Sequence, residues 1–291
     1  MKNLESKKYW IWFSLIKNLG CRRKLKLLKI YKNPEIIYKL PKEKLLEVEG
    51  IGEDTANNIS ISKNKKLLEY HINYMMKNNI DIINIQDKEY PQILKEIYDP
   101  PISLYIRGNK NILNNTSIGI VGCRQCTEYG EKAAKYFSYN LAKENTNIVS
   151  GLAIGIDSYS HIGCLAAEGE TIAVIGNGLD MVYPKENIEL ANKIIKKGGA
   201  IISEYPCGTR PDKMNFPARN RIISGISDSI IVIEAKEKSG TLITVDFALE
   251  QGRDVFVVPG NINSVNSVGT NNLIKQGARI VVTYKDVLSN L

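Results

Sequence analysis

Arg124 stands at a position that suits the binding of an anion. It ends the run Ser117 to Arg124, in which a short apolar strand pattern leads to Gly122, and a helical pattern opens near Glu128. A strand that ends in glycine beside a helix N-terminus directs backbone N–H groups at one point, where a phosphate fits. We therefore predict an anion-binding turn at Gly122 and Arg124.

A second set of residues suited to a polyanion lies between positions 210 and 221. It combines cations with an aromatic ring and an amide, and consists of Arg210, Lys213, Phe216, Arg219, Asn220 and Arg221. We predict a loop here, between Glu204 and the next strand. Single-stranded nucleic acid requires cations along its backbone and an aromatic face for a base, and one stacked base contributes about 1–3 kcal/mol.

Each of these side chains also has a structural interpretation. Arg219 and Arg221 could form ion pairs with Glu204 or Glu234 instead of binding phosphate. Phe216 could instead lie in the core beneath the loop.

The elements that must position these residues alternate between strands and helices. Short β-branched runs separated by helical patterns predict a doubly wound, mostly parallel α/β sheet of Rossmann-like type. The strand patterns are at 80–85, 118–121, 148–150, 172–175, 230–233, 255–258 and 280–282, and the helical ones at 128–143, 158–167, 186–197 and 241–251. Ligands bind such sheets at the carboxyl edge. The glycine-bearing loops that would converge there add Ser150, Gly151, Ser239, Gly240 and Thr241 to the predicted site, with Ser239-Gly240-Thr241 capping the next helix.

The N-terminal part of the chain has a different pattern and charge. Residues 1–66 carry 16 Lys+Arg against 7 Asp+Glu, a net charge of +9, whereas the whole chain carries +8. Short amphipathic helices surround Gly50-Ile51-Gly52, which resembles a helix-hairpin-helix turn. We predict a small all-helical, SAM-like domain at 1–66 and the α/β domain at 70–291. The turn could contact DNA phosphates or could simply close a small bundle.

Several other functions are disfavoured by the sequence. No apolar run approaches the ~20 residues that span a membrane, and no cleavage site follows the apolar segment 9–16, so we predict a cytoplasmic protein. Asp157 and His161, at i and i+4, could form an acid–base pair, but we favour a structural hydrogen bond. The five scattered cysteines favour free thiols, and we predict no metal, cofactor or catalytic residue.

Residues 80–284 resemble the DNA-processing protein A family, also called DprA or Smf. The matching blocks occur in the family's order, and the most specific is Phe216 to Ile223. The others are 120–124, 149–157 with His161, 178–180, Tyr183-Pro184, 202–204, Glu234-Ala235, 239–244, Gly252-Arg253, 258–260 and 269–274. Cys123 stands where the family usually has Ser or Thr, and the winged-helix domain that many members carry at the C-terminus is expected to be absent.

The resemblance implies a protein without enzymatic activity that binds single-stranded DNA, protects it and loads the RecA recombinase in natural transformation and homologous recombination. It implies an extended Rossmann-like fold, homodimers, and a DNA pocket that uses Arg124, Lys213 and Phe216. It also implies a dimer surface, overlapping the recombinase contacts, around Asn271, Asn272, Leu273 and Ile274.

An enzyme is the alternative class. Phosphoribohydrolases of the lysine-decarboxylase-like type share a related fold and use a Pro-Gly-Gly-x-Gly-Thr-x-x-Glu signature. The comparable segment 238–244 lacks the paired glycines and has Thr244 in place of the glutamate. A nicotinamide-dependent oxidoreductase would require a G-x-G-x-x-G turn that Gly119 and Gly122 do not supply.

Overall fold

The computed structural model describes residues 2–290 and contains one nine-stranded sheet in that range. The strands are β1 (Asp81–Asn84), β2 (Ser103–Gly108), β3 (Ser117–Val121), β4 (Asn147–Ser150), β5 (Thr171–Val174), β6 (Ala200–Ser203), β7 (Ser229–Val232), β8 (Asp254–Val257) and β9 (Arg279–Ile280). Their order is β1-β2-β6-β5-β4-β3-β7-β8-β9. Strands β3 to β9 pair in parallel, whereas β2 pairs antiparallel with both β1 and β6. The predicted α/β class is confirmed.

Fifteen α-helices accompany the sheet within residues 2–290. Those before β1 are α1 (Lys2–Ser6), α2 (Lys8–Leu15), α3 (Cys21–Tyr31), α4 (Pro34–Lys39), α5 (Lys42–Leu46), α6 (Glu53–Ile61) and α7 (Lys65–Lys77). The later ones are α8 (Gln92–Lys95), α9 (Glu128–Lys143), α10 (Ile156–Ala166), α11 (Ile188–Lys196), α12 (Asn215–Gly225), α13 (Gly240–Glu250), α14 (Val268–Lys275) and α15 (Lys285–Leu288). None of them is long and apolar enough to cross a membrane.

Helices cover both faces of the sheet because successive strand side chains point to opposite faces. In β7, Ile230 and Val232 pack in the core that includes α12 and α13, whereas Ile231 packs in the core beneath α9 and α10. A strand buried on both faces reads as a continuous apolar run, as these strands do.

The order of strands reverses beside β3, which lies between β4 and β7. In open α/β sheets, ligands bind at the carboxyl ends of the strands where this reversal occurs. The loop that follows β3 carries Arg124, so the topology places this residue at the expected ligand edge.

One sequence prediction about this region was wrong, and two strands were missed. Strands β2 and β6 were not predicted as strands. The segment predicted as a loop between Glu204 and the next strand contains α12, an 11-residue helix that begins at Asn215. This helix has almost no amphipathic pattern, because arginines occupy buried positions on it.

The N-terminal helices pack directly against the sheet domain. Trp12 and Phe13 of α2 are buried in the same apolar core as Tyr105 of β2 and Ala173 of β5. The Gly50-Ile51-Gly52 turn does join α5 to α6, with Gly50 at φ +84° and Ile51 buried.

Candidate functional site

A buried carboxylate holds the loop that carries Arg124. Glu234, which follows β7, accepts hydrogen bonds from the Thr127 backbone N–H at 2.9 Å and from the Thr127 hydroxyl at 2.5 Å. Thr127 in turn caps α9, and the Cys123 N–H donates to the Glu234 carbonyl at 3.0 Å. Arg124 itself is exposed. The loop is therefore anchored on both sides of an arginine that points to solvent.

Gly155 supports the same loop from the β4–α10 side. Its φ is +87°, and a Cβ at this position would collide with the backbone carbonyls of Cys123 and Arg124. The next residue, Ile156, donates its N–H to the Cys123 carbonyl at 3.2 Å. Only glycine fits this position without displacing the Arg124 loop.

We expect Gly155→Ala to weaken anion binding at Arg124 as well as to destabilise the protein. Gly252 is the matched control, because its φ is +69° but its Cβ position is open. Gly252→Ala should lower the free energy of unfolding by about 1–2 kcal/mol, the cost of the left-handed conformation, without affecting binding. Urea titrations and oligo-dT anisotropy would measure both effects. If both variants lost the same amount of stability and of oligo-dT affinity, the crowding at Gly155 would be unimportant.

Arg124, Phe216 and Tyr183 form a contiguous group, which we call the stacking cluster. The Arg124 guanidinium carbon lies 5.7 Å from the centre of the Phe216 ring. The Tyr183 ring stacks on Phe216 with centroids 5.6 Å apart and an interplanar angle of 24°. Phe216 is partly exposed, and Tyr183 is 44% exposed. The cluster thus presents a cation and aromatic surface at the carboxyl edge of the sheet, and Phe216 is not a core residue.

Lys213 lies beside this cluster. It is exposed and precedes Phe216 by three residues, a separation of at most about 11 Å between Cα atoms. Arg210 is exposed in the same segment. The fold therefore brings Phe216, at the end of this segment, to Arg124, although 85 residues of chain lie between Arg124 and Arg210.

Arg219 does not face solvent, so the predicted direct contact of this residue with DNA does not fit the structure. Only 5% of it is exposed, and its guanidinium donates to the carbonyls of Gly151, at 2.7 Å, and Val174. These carbonyls lie at the carboxyl ends of β4 and β5. Burial lowers the pKa of Arg219 to about 10. Arg219 positions the edge of the sheet beneath the stacking cluster.

Arg221 requires the same correction. It forms ion pairs with Glu204 and, at 3.1 Å, with Asp99, and its side chain is 6% exposed. Burial by itself lowers the pKa of this guanidinium, but the two carboxylates raise it overall. The predicted ion pair with Glu204 is present for Arg221. Arg219 is also buried, but it donates to backbone carbonyls and pairs with neither Glu204 nor Glu234.

Ser150 and Gly151 also lie inside the protein. The Ser150 hydroxyl donates to the Ile120 carbonyl at 2.7 Å. A Cβ on Gly151 would lie 2.6 Å from the Asp157 carboxylate and 2.7 Å from the Arg219 guanidinium. Both residues are buried, so they shape the site from below and do not present a DNA-contacting surface.

The other predicted contacts differ in exposure. Gly122 and Asn220 are partly exposed, and the Asn220 side-chain oxygen accepts a hydrogen bond from Arg219 Nε at 3.2 Å. Ser239 caps α13 as predicted, accepting from the Thr241 N–H at 3.2 Å. Gly240 is exposed, whereas Thr241 is buried. Ser239 and Gly240 therefore remain candidates for phosphate contact at this edge.

Asp157 and His161 form neither an acid–base pair nor the structural hydrogen bond that we favoured, because the two side chains bond to other groups. His161 is fully buried and shares a hydrogen bond of 2.7 Å with Thr171, and burial lowers its pKa to about 3. Asp157 instead accepts from the Ala153 N–H and lies near Arg219; burial raises its pKa although Arg219 opposes the shift. A neutral, enclosed imidazole cannot act as an acid–base group for a ligand at the surface.

The segment predicted to form the dimer surface is only partly accessible. Leu273 is 8% exposed and packs in the core, so it does not fit a contact with a second subunit. Asn271 exchanges hydrogen bonds with the backbone of Gly260. Asn272 and Ile274 are partly exposed.

Sequence reasoning missed Tyr183 as part of the site and missed the role of Glu234 in holding it. In the sequence, Tyr183 stands out only as part of a family motif. Its distance from Phe216 along the chain hides the contact, and no local pattern would have indicated it. Glu234 could have been suspected, since a carboxylate directly after a buried strand is rarely left without partners.

Comparisons with known proteins find similar sequences and structures over most of this chain. The family described as DNA recombination-mediator protein A matches residues 81–291. The chain is 45% identical over 213 residues to the DNA processing protein DprA of Bacillus subtilis. The aligned residues make up 73% of this chain and 71% of that protein. It is 46% identical over 206 residues to DprA of Streptococcus pneumoniae, 71% of this chain and 72% of that protein.

Two solved structures are also similar. The X-ray structure of DprA from Streptococcus pneumoniae has a TM-score of 0.85 at 36% identity and covers 97% of each chain. DNA processing protein A from Helicobacter pylori, studied for its single-stranded DNA binding mode, has a TM-score of 0.65 at 30% identity. That match covers 72% of this chain and 95% of the other.

Proposed function

This chain belongs to the DNA recombination-mediator protein A family, and from that premise we propose that it binds and protects single-stranded DNA. The strand lies across the carboxyl edge of the sheet, with a phosphate at Arg124 and Lys213 and a base on the stacking cluster. The observation that carries this proposal is the contact of Arg124 with Phe216, because it joins a cation and an aromatic face within one groove. Such a combination binds single strands without regard to sequence.

Electrostatic attraction supports the same function. Arg124, Arg210 and Lys213 are exposed, and no ion pair engages them within residues 2–290. Cations that are not neutralised by the protein are available to phosphates, and each contact makes binding sensitive to salt. We expect tight, salt-sensitive binding of oligo-dT and much weaker binding of duplex, in which the bases are not free to stack. Equal affinity for both forms would contradict the proposal.

Phe216→Ala should weaken oligo-dT binding by the loss of one stacked base, about 1–3 kcal/mol or roughly 5- to 150-fold. The loss should be smaller than that produced by reversing the Arg124 charge. Fluorescence anisotropy would measure the affinity, and Phe137→Ala, which alters a core ring on α9, would control for general destabilisation. Wild-type affinity in Phe216→Ala would exclude base stacking on this ring.

We further propose that the protein has no enzymatic activity, forms a homodimer and loads the RecA recombinase in transformation and recombination. The absence of enzymatic activity is supported by the segment 238–244, which lacks the paired glycines and the glutamate of the phosphoribohydrolase signature. We therefore expect no release of ribose-5-phosphate from AMP. Light scattering would measure the dimer, and faster RecA filament formation on protein-coated DNA would measure loading.

A further inference from the structure

A cleft of about 260 Å³ separates the N-terminal helices from the sheet domain. Ser14 and Lys24 line it from the N-terminal side, Pro101 and Ser103 from the start of β2, and Glu204 and Tyr205 from the loop after β6. The same loop continues to Arg210 and Lys213. The cleft therefore opens along the carboxyl edge on which the stacking cluster lies.

Helix α3 brings positive charge to this cleft. Its residues Cys21–Tyr31 include five cations and no carboxylate, and one of these cations, Lys24, lines the cleft. Gly20, which precedes it, provides no side chain to cap the N–H groups of the first turn. Lys24 lies in that turn, and its ammonium donates to the Ser14 carbonyl at 3.2 Å. Burial lowers the pKa of Lys24 to about 8, so the group is still mainly charged at neutral pH.

Ser103 provides an independent sign of a ligand. It lines the cleft, is 2% exposed, and its hydroxyl has no hydrogen-bond partner among residues 2–290. A buried hydroxyl without a partner is uncommon, because the desolvation of the polar group is then not compensated. A bound oxygen ligand would compensate it.

The one carboxylate that lines the cleft among residues 2–290 is held in an ion pair. Glu204 is paired with the Arg221 guanidinium, which also pairs with Asp99. Glu204 therefore repels an incoming anion less than a free carboxylate would, although Arg221 shares its charge with Asp99. Lys24 lines the same cleft and forms no ion pair within residues 2–290.

The helix-hairpin-helix-like turn is less suitable for DNA. Its glycines are flanked by the carboxylates of Glu49, Glu53 and Asp54, and two nearby lysines are engaged by them: Lys26 with Glu49 and Lys42 with Glu53. Like charge at the turn opposes a phosphate. In the N-terminal helices, the beginning of α3 offers the better anion site.

We propose that this cleft is a second phosphate subsite, which binds a phosphodiester of the strand held at the stacking cluster. This subsite presupposes the single-stranded DNA binding proposed above. Lys24, the N-terminus of α3 and the Ser103 hydroxyl are its ligands. The basic N-terminal helices then extend the DNA-binding groove beyond the few nucleotides that the sheet edge contacts.

Oligo-dT of two lengths tests the subsite in the full chain. An oligomer of about 6 nucleotides occupies the sheet edge alone, whereas one of about 20 reaches the cleft. Lys24→Met should weaken binding of the longer oligomer by about three- to tenfold and reduce its salt slope by about 0.7, leaving the shorter one unaffected. Lys29→Met is the matched control, because Lys29 is exposed on the same helix outside the cleft.

Ser103→Ala separates binding from folding. Removing a hydroxyl that has no partner should leave the free energy of unfolding unchanged or raised. The same substitution should still weaken the binding of the longer oligomer. Amine-reactive labelling of the unmodified protein adds a test that needs no variant: the longer oligo-dT should protect Lys24 and the shorter one should not.

The outcomes distinguish this subsite from the function on which it depends. If wild-type protein binds neither oligomer, the proposed function fails. If Arg124→Glu weakens binding but Lys24→Met and Ser103→Ala do not, and Lys24 labelling is unprotected, only the subsite is overturned. Protection of Lys24 by inorganic phosphate but not by DNA would also overturn the assignment to a DNA backbone.

Discussion

Arg124→Glu is expected to weaken oligo-dT binding at least tenfold, which corresponds to about 1.4 kcal/mol or more. The substitution removes a cation from an anchored loop beside the Phe216 ring and places a carboxylate where a phosphate should lie. The salt slope of the affinity should fall by about 0.7, the value for one phosphate contact of a single strand. Fluorescence anisotropy over a series of salt concentrations would measure both quantities.

Lys143→Glu is the matched control for this charge reversal. Lys143 is exposed at the C-terminal end of α9, whose N-terminal end follows the Arg124 loop. The 16 residues of this helix span about 24 Å, so the control changes the net charge equally but far from the site. Equal losses in both variants would mean that DNA binding follows overall charge and not the proposed groove.

Arg219→Met is expected to produce the largest loss of stability, about 3–5 kcal/mol in the free energy of unfolding. The guanidinium is buried near Asp157 and donates to the carbonyls of Gly151 and Val174. Its removal leaves a buried carboxylate without its compensating charge and two carbonyls without a donor. Urea denaturation followed by circular dichroism would measure the change.

Two further variants show whether burial is the cause. Arg210→Met changes an exposed arginine just before α12 and should alter stability by no more than about 0.5 kcal/mol. Asp157→Asn added to Arg219→Met should recover part of the loss, because it removes the uncompensated carboxylate. A mild effect of Arg219→Met would contradict the positioning role given to this residue.

The three arginines predicted as DNA contacts therefore differ in their surroundings. Arg124 is exposed and available to a phosphate, Arg219 supports the carboxyl ends of two strands, and Arg221 neutralises Glu204 and Asp99. Arg219 and Arg221 differ from each other because both lie on α12. Successive side chains of a helix are rotated by about 100°, so these two residues face different buried surroundings. The presence of an arginine at a position does not by itself predict which of these roles it has.

The sequence by itself determined the α/β architecture and the position of the glycine turn before Arg124. Apolar runs that alternate with helical patterns are local signals, and they correctly indicated β3, β4, β5, β7 and β8 together with α9, α10, α11 and α13. The glycine turn before Arg124 is likewise local. Capping of α13 by Ser239 was predicted for the same reason, since a cap depends only on residues within one helical turn.

Only the tertiary structure decided which side chains form the stacking cluster and which are buried. Tyr183, Phe216 and Arg124 come from three separate loops and helices, and their contact depends on the order of strands in the sheet. The burial of Arg219 and Arg221 likewise depends on carbonyls and carboxylates far away along the chain. Contacts between distant residues leave no periodic pattern in the sequence, and packing alone fixes them.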